Sequence, residues 1–194
     1  MTIKKTIIFG GAFNPPTVAH EAILKACVEY AQKLDAEVWI VPSGNRHDKQ
    51  IPVEREVRLK YLDAMIQDIK VEYAGTPIEI ITTELDRPIA IETFDTFQRL
   101  TAEHPNRSYI WVYGADSIET MSDWGNGQWL LDNLEMLIFE RQGSIVHPRA
   151  KKVSMLDVKI PVISSTAVRQ RLSAGKSIDG MVGERVGHLL NKSK

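Results

Sequence analysis

The sequence predicts an α/β fold, a doubly wound parallel sheet covered by helices on both faces. Three observations predict it. Short apolar runs alternate with longer segments whose apolar residues recur every three or four positions. Several of the short runs stop at glycine or at a Pro-Ser-Gly turn. The 194 residues are 43% hydrophobic and 25% charged, enough apolar material for one well-buried domain, placed at 1–194. Strands that read as apolar runs, rather than as alternating apolar and polar residues, are those buried on both faces.

The elements follow in order. Thr6-Ile7-Ile8-Phe9 is a strand that ends at Gly10-Gly11. Val18 to Leu34 is a helix, with Ala19, Ala22, Ile23, Ala26, Cys27 and Tyr30 on one face. Glu37 to Val41 is a strand closed by Pro42-Ser43-Gly44, and a polar loop from Asn45 to Gln50 follows. A helix beginning near Val53 carries Val57, Tyr61, Leu62, Met65 and Ile66. Ile78 to Thr82 reads as a strand, and Ile91 to Ala102 as a helix closed by His104-Pro105-Asn106. Tyr109 to Tyr113 is a strand ending at Gly114, and Leu134 to Phe139 is another. A short strand at Val158 to Val162 runs into a helix at Ser165 to Leu172, and a last helix spans Val182 to Leu190. In such sheets ligands bind beyond the carboxyl ends of the strands. Gly10-Gly11, Pro42-Ser43-Gly44, Gly114-Ala115-Asp116 and Ser164-Ser165 should therefore meet on one rim.

Composition narrows the function. A net charge of -1 gives no broad attraction to nucleic acid or to an anionic membrane, so neither is expected as a partner. The single cysteine, Cys27, lies on an apolar helix face and reads as a small buried hydrophobe. No Cys/His cluster points to a bound metal. The short apolar run at the N-terminus is too brief for a signal peptide and nothing is long enough to cross a bilayer, so a cytoplasmic protein is expected. The sequence leaves open whether copies associate into a homo-oligomer.

Two segments carry the chemistry. The first is Gly10-Gly11-Ala12-Phe13-Asn14-Pro15-Pro16-Thr17-Val18-Ala19-His20. Two glycines let a phosphate or ribose approach the backbone, and two prolines stiffen the entry to a helix whose first amides are free. Thr17 and His20 are three apart, so at a helix start they point the same way. The segment is neither the dinucleotide fingerprint nor a P-loop. The second is Ile163-Ser164-Ser165-Thr166-Ala167-Val168-Arg169, where hydroxyls cap a helix start and Arg169 stands one turn beyond Ser165. Together they imply a nucleotide triphosphate held from two sides.

The first segment resembles the hallmark of the nucleotidylyltransferase superfamily, Gly-Gly-x-Phe-x-Pro followed by Thr/His-x-x-His, with Ala19 where the family often has glycine. The second resembles its Ile-Ser-Ser-Thr-x-x-Arg. The resemblance implies a Rossmann-like sheet of the adenylyltransferase (HxGH) type, related to the catalytic core of class I aminoacyl-tRNA synthetases. Glu84-Leu85-Asp86-Arg87-Pro88, Thr93-x-Asp95-Thr96, Gly114-Ala115-Asp116 and the pair Trp124 and Trp129 are similar to the nicotinate-nucleotide adenylyltransferases. That branch ends Val-Pro-x-x-Val, where this chain has Val182-Gly183-Glu184-Arg185-Val186.

The resemblance implies that ATP and a pyridine mononucleotide are the substrates, with Mg²⁺ brought in on the ATP oxygens. It puts ATP against Gly10, Gly11, Phe13, His20, Lys49, Gly114, Asp116, Ser164, Ser165, Thr166 and Arg169. It puts the acceptor against Asn14, Thr93, Asp116 and Trp124. His20, Thr17 and Arg169 are the expected catalytic residues: His20 on an α-phosphate oxygen, Thr17 placing phosphates, Arg169 on the leaving pyrophosphate. An already ionised acceptor phosphate needs neither general base nor side-chain nucleophile. Nicotinamide mononucleotide, phosphopantetheine and a regulator that binds nucleotide without turning it over are the alternatives.

Overall fold

The computed structural model of the chain describes residues 3–44, 53–87, 92–140 and 150–192. Six parallel strands form one sheet: β1 Lys4–Gly11, β2 Glu37–Pro42, β3 Ile78–Ile80, β4 Arg107–Gly114, β5 Glu135–Phe139 and β6 Lys152–Met155. Their order is β3-β2-β1-β4-β5-β6. The order reverses between β1 and β4, which opens a crevice beyond their carboxyl ends.

Successive side chains of the central strands enter two separate cores, as a sheet covered on both faces requires. Ile7, Phe9, Val38, Ile40, Ile110 and Val112 pack under helices α1 Val18–Leu34 and α2 Arg55–Glu72. Two C-terminal helices, whose ranges are Ser165–Ser173 and Glu184–Lys192, add Val168, Val186 and Leu190 to the same core. Ile8, Trp39, Val41, Tyr109, Trp111 and Ile138 face the other way. They meet Leu100 of α3 Thr93–Glu103, Ile118 of α4 Ala115–Thr120, and Leu130 and Leu131 of α5 Gly127–Asn133. The C-terminal pair is therefore α6 and α7. Cys27 is fully buried in the first core, and burial holds its thiol protonated far above the usual range.

At the amino ends of the strands Glu37 is 1% exposed. Its carboxylate accepts from Thr6 Oγ1 at 3.0 Å, pairs with Lys4 Nζ at 2.7 Å, and pairs with Arg107. The Arg107 guanidinium also lies 4.4 Å over the Trp39 ring.

Three elements differ from the sequence reading. The last strand is Lys152–Met155, not Val158 to Val162. The half-buried Val158, Ile160 and Ile163 do pack on the core, but in an extended segment outside the ladder. Pro161 has no N–H to give to a ladder, and Ile163 donates back to its carbonyl. Between Gly114 and Leu134, where the sequence reading assigned no element, stand two short helices and a 3₁₀ turn at Met121–Asp123. The third strand stops at Ile80 rather than Thr82. The expected loop from Asn45 to Gln50 and the helix start at Ile91 lie outside the described residues. No described helix is long and apolar enough to cross a membrane.

Candidate active site

The rim of the sheet begins with the turn after β1. A side chain at Gly11 would press on the Phe13 ring, which lies 3.1 Å from where a Cβ would stand. Phe13 has φ of 46° and is 1% exposed, with its ring 5.3 Å from Phe9 and 5.1 Å from His20. The sequence reading set Phe13 against the nucleotide. The ring is buried and packs on both Phe9 and His20.

Thr17 is the N-cap of α1 and His20 its third residue, so the two form a reciprocal cap. The Thr17 backbone N–H donates to His20 Nδ1 at 3.1 Å, and Thr17 Oγ1 lies 2.9 Å from the same nitrogen. A nitrogen that accepts an amide proton carries none, so the ring proton is assigned to Nε2. Thr17 has no exposed surface. Its amide and hydroxyl both meet Nδ1, which sets the orientation of the His20 ring.

The second segment closes on the first. Ser164 caps α6, its Oγ accepting from Ala167 N at 3.1 Å. Ser165 Oγ donates to the Pro15 carbonyl at 2.8 Å, across 150 residues of sequence. Arg169 Nη1 donates to the Asn14 carbonyl at 2.7 Å, and its Nη2 to Thr166 Oγ1 at 3.1 Å. A third link comes from further on, where the first amide of α1, Val18 N–H, donates to the Met181 carbonyl at 3.1 Å. Ser164 and Thr166 are exposed and Arg169 half-buried, so hydroxyls and guanidinium stay accessible beside the start of α1. Asn14 is 6% exposed, and it meets Arg169 through its backbone carbonyl.

On the other side of the rim stand the residues assigned to an acceptor. Thr93 opens α3, next to Tyr113 at the end of β4. Burial raises the Tyr113 phenol far above its ordinary value, with Thr93 and Glu84 as the nearby polar groups. Trp124 is half-buried and meets Tyr113 edge to face at 6.1 Å. Trp129 is 37% exposed and packs on Phe94 and Phe97, each at 5.0 Å. Asp116 is exposed in the first turn of α4, with its carboxylate turned toward Gly114. Gly10 is the last residue but one of β1 and Gly114 the last of β4, on the two sides of the crevice. Lys49 lies outside the described residues. Among the described residues no three His, Cys, Asp or Glu side chains gather around a common point.

One functional candidate escaped the sequence reading. Arg58 of α2 is 3% exposed, and it reaches the backbone of both the β1 and β2 exits. Its partners are carbonyls, which every residue possesses, so no sequence pattern marks them.

With this geometry in hand, the likeness to known proteins is informative. A family model described as cytidylyltransferase-like matches residues 8–171, which takes in both phosphate segments. A probable nicotinate-nucleotide adenylyltransferase of Exiguobacterium sibiricum is 30% identical, over 95% of this chain and 95% of its own. A second, from Halalkalibacterium halodurans, is 30% identical over 91% of this chain and 83% of its own. Among solved structures, Plasmodium falciparum nicotinic acid mononucleotide adenylyltransferase, complexed with NaAD, superposes with a TM-score of 0.78. It covers 98% of this chain and 96% of its own at 22% identity, which is likeness of fold. The chain belongs to the cytidylyltransferase-like family.

Proposed function

We propose that this chain joins the adenylyl group of ATP to nicotinate mononucleotide and releases pyrophosphate. The observation that carries the reading is the closure of the second segment on the first, Ser165 on Pro15 and Arg169 on Asn14, beside the capped His20. The names of the relatives supply the acceptor. A phosphate oxygen of the mononucleotide attacks the ATP α-phosphorus. The bond from that phosphorus to the bridging oxygen of the β-phosphate breaks, and pyrophosphate leaves with the electron pair. The attacking oxygen is already ionised, so the protein's work is positioning and charge stabilisation.

His20 donates its Nε2 proton to an α-phosphate oxygen as charge builds there, and Thr17 holds the ring in that tautomer. Ser164, Ser165, Thr166 and Arg169 hold the β- and γ-phosphates and the departing pyrophosphate. The guanidinium has five N–H donors, and the two bonds to Asn14 and Thr166 leave others for phosphate. The backbone at Gly10, Gly11 and Phe13, with Gly114, Asp116 and Lys49, completes the ATP side. Asn14, Thr93, Asp116 and Trp124 line the acceptor side. ATP would enter as its Mg²⁺ complex, and the ion would offset phosphate charge beside Arg169 and the α6 hydroxyls.

The test is pyrophosphate release from Mg-ATP with nicotinate mononucleotide and, separately, nicotinamide mononucleotide. Preference for nicotinate is expected. Preference for nicotinamide would keep the mechanism and replace the acceptor, and release with neither would overturn the reading.

A further inference from the structure

Arg58 sits on α2 behind the rim, outside both phosphate segments. Its Nε donates to the Ala12 carbonyl at 3.1 Å and its Nη2 to the Ser43 carbonyl at 2.7 Å. Ala12 lies between Gly11 and Phe13 in the turn after β1, and Ser43 follows β2. The two exits are also tied directly, Ser43 N–H donating to the Gly11 carbonyl at 2.8 Å. A third exit joins them. Burial pulls the Arg58 guanidinium below its ordinary value, and the charge of Glu84, in the loop after β3, opposes that. Glu84 Oε1 in turn accepts from Thr96 Oγ1 of α3 at 2.9 Å. A side chain at Gly44 would collide with the Glu84 carbonyl, so the second and third exits touch.

One guanidinium thus lies where the exits of β1, β2 and β3 converge, with α3 reached through Glu84. We infer that Arg58 is a positioning residue for the adenylyl transfer, fixing the donor-side turn relative to the acceptor-side helix; this rests on the function proposed above. Its chemistry suits that task. The planar fork meets two carbonyls from different loops at once, and an ammonium reaches one of them as a point charge. The nearby Glu84 offsets its charge and its N–H groups point at backbone. It therefore orders the site rather than clamping a phosphate. Reactions that depend on alignment lose about 100-fold in rate for a displacement of about 1 Å.

The experiment compares the wild type with Arg58→Lys and Arg58→Met by steady-state kinetics and thermal unfolding. Arg58→Lys is expected to unfold cooperatively and to lose roughly 100-fold in kcat, with KM for ATP within a few-fold of wild type. Wild-type kcat in Arg58→Lys overturns the proposal. So does Arg58→Met with a lowered Tm but unchanged kcat per folded molecule. A second readout is independent of the acceptor. The amide resonances of Gly11, Phe13 and Ser43 should shift in Arg58→Lys, and unshifted amides overturn the proposal whichever phosphate the wild type turns over. Failure of the wild type with both mononucleotides, with those amides shifted, would instead sink the assigned function.

Discussion

His20 works through what its other nitrogen is doing. The Thr17 amide occupies Nδ1, so the donor is Nε2 and its direction is set by the first turn of α1. Removing one such donor to developing charge costs about 10²–10³ in rate. His20→Ala is therefore expected to lower kcat by that factor while ATP binding, followed by calorimetry, changes much less. Thr17→Val keeps the backbone bond and the volume but removes the hydroxyl, so its kcat loss should be the smaller. Equal losses in the two variants would show that the backbone bond alone does not hold the ring and that the hydroxyl is needed to orient it. The neighbouring residue carries a separate prediction. Burial and the nearby Asp68 carboxylate raise the Glu21 carboxyl, while Lys25 and the Gly183 amide oppose the rise. A carboxyl raised in the folded state binds a proton more readily folded than unfolded. The wild type therefore loses stability as pH climbs above the ordinary value of 4.5. Glu21→Gln should raise Tm at pH 7 and give no gain at pH 4, measured by thermal unfolding across that range.

At the scale of elements, what could be read in the sequence was local. The start of α1 was legible because two glycines, two prolines and a pair three residues apart all act within one turn. The cap on α6 was legible for the same reason. The strand β6 was not: Lys152-Val153-Ser154-Met155 lies on the sheet edge with three of its four side chains exposed, so it has no apolar run to announce it. The apolar alternation at Val158 and Ile160 was read as a strand, but these half-buried side chains pack on the core from outside the ladder. Helices α4 and α5 were missed because six and seven residues show too little periodicity. The N-terminus of α7 shows how far a partner can lie. Asp68 of α2 accepts from Arg185 N–H at 3.2 Å and pairs with the Arg185 guanidinium at 2.5 Å, 117 residues away in sequence. Gly183 puts its backbone N–H against Glu21, a contact that a proline at this position would have no proton to make.

Across the whole molecule the sheet keeps its two ends for different tasks. The carboxyl ends carry the rim, and the amino ends carry the buried Glu37 with Lys4, Arg107 and Thr6. Removing Glu37 leaves the buried Thr6 hydroxyl and the partly exposed Arg107 without their acceptor, while Lys4 can turn to water, a cost of about 1–3 kcal/mol. Glu37→Ala is expected to lose roughly that much in urea unfolding and to keep its kcat per folded molecule. A matching fall in kcat would mean that the two ends are coupled. The rim itself is assembled from chain that is far apart in time as well as in sequence. His20 leaves the ribosome early, but Ser165, Arg169 and Met181, which fasten the turn and the first amide of α1, are made much later. The stretch from Ser164 to Leu190 alone takes roughly one to five seconds at about 5–20 residues per second. Until it arrives, the turn after β1 lacks the Ser165 and Arg169 bonds and the first amide of α1 lacks its Met181 acceptor, so the rim takes its final form only after nearly the whole chain is made.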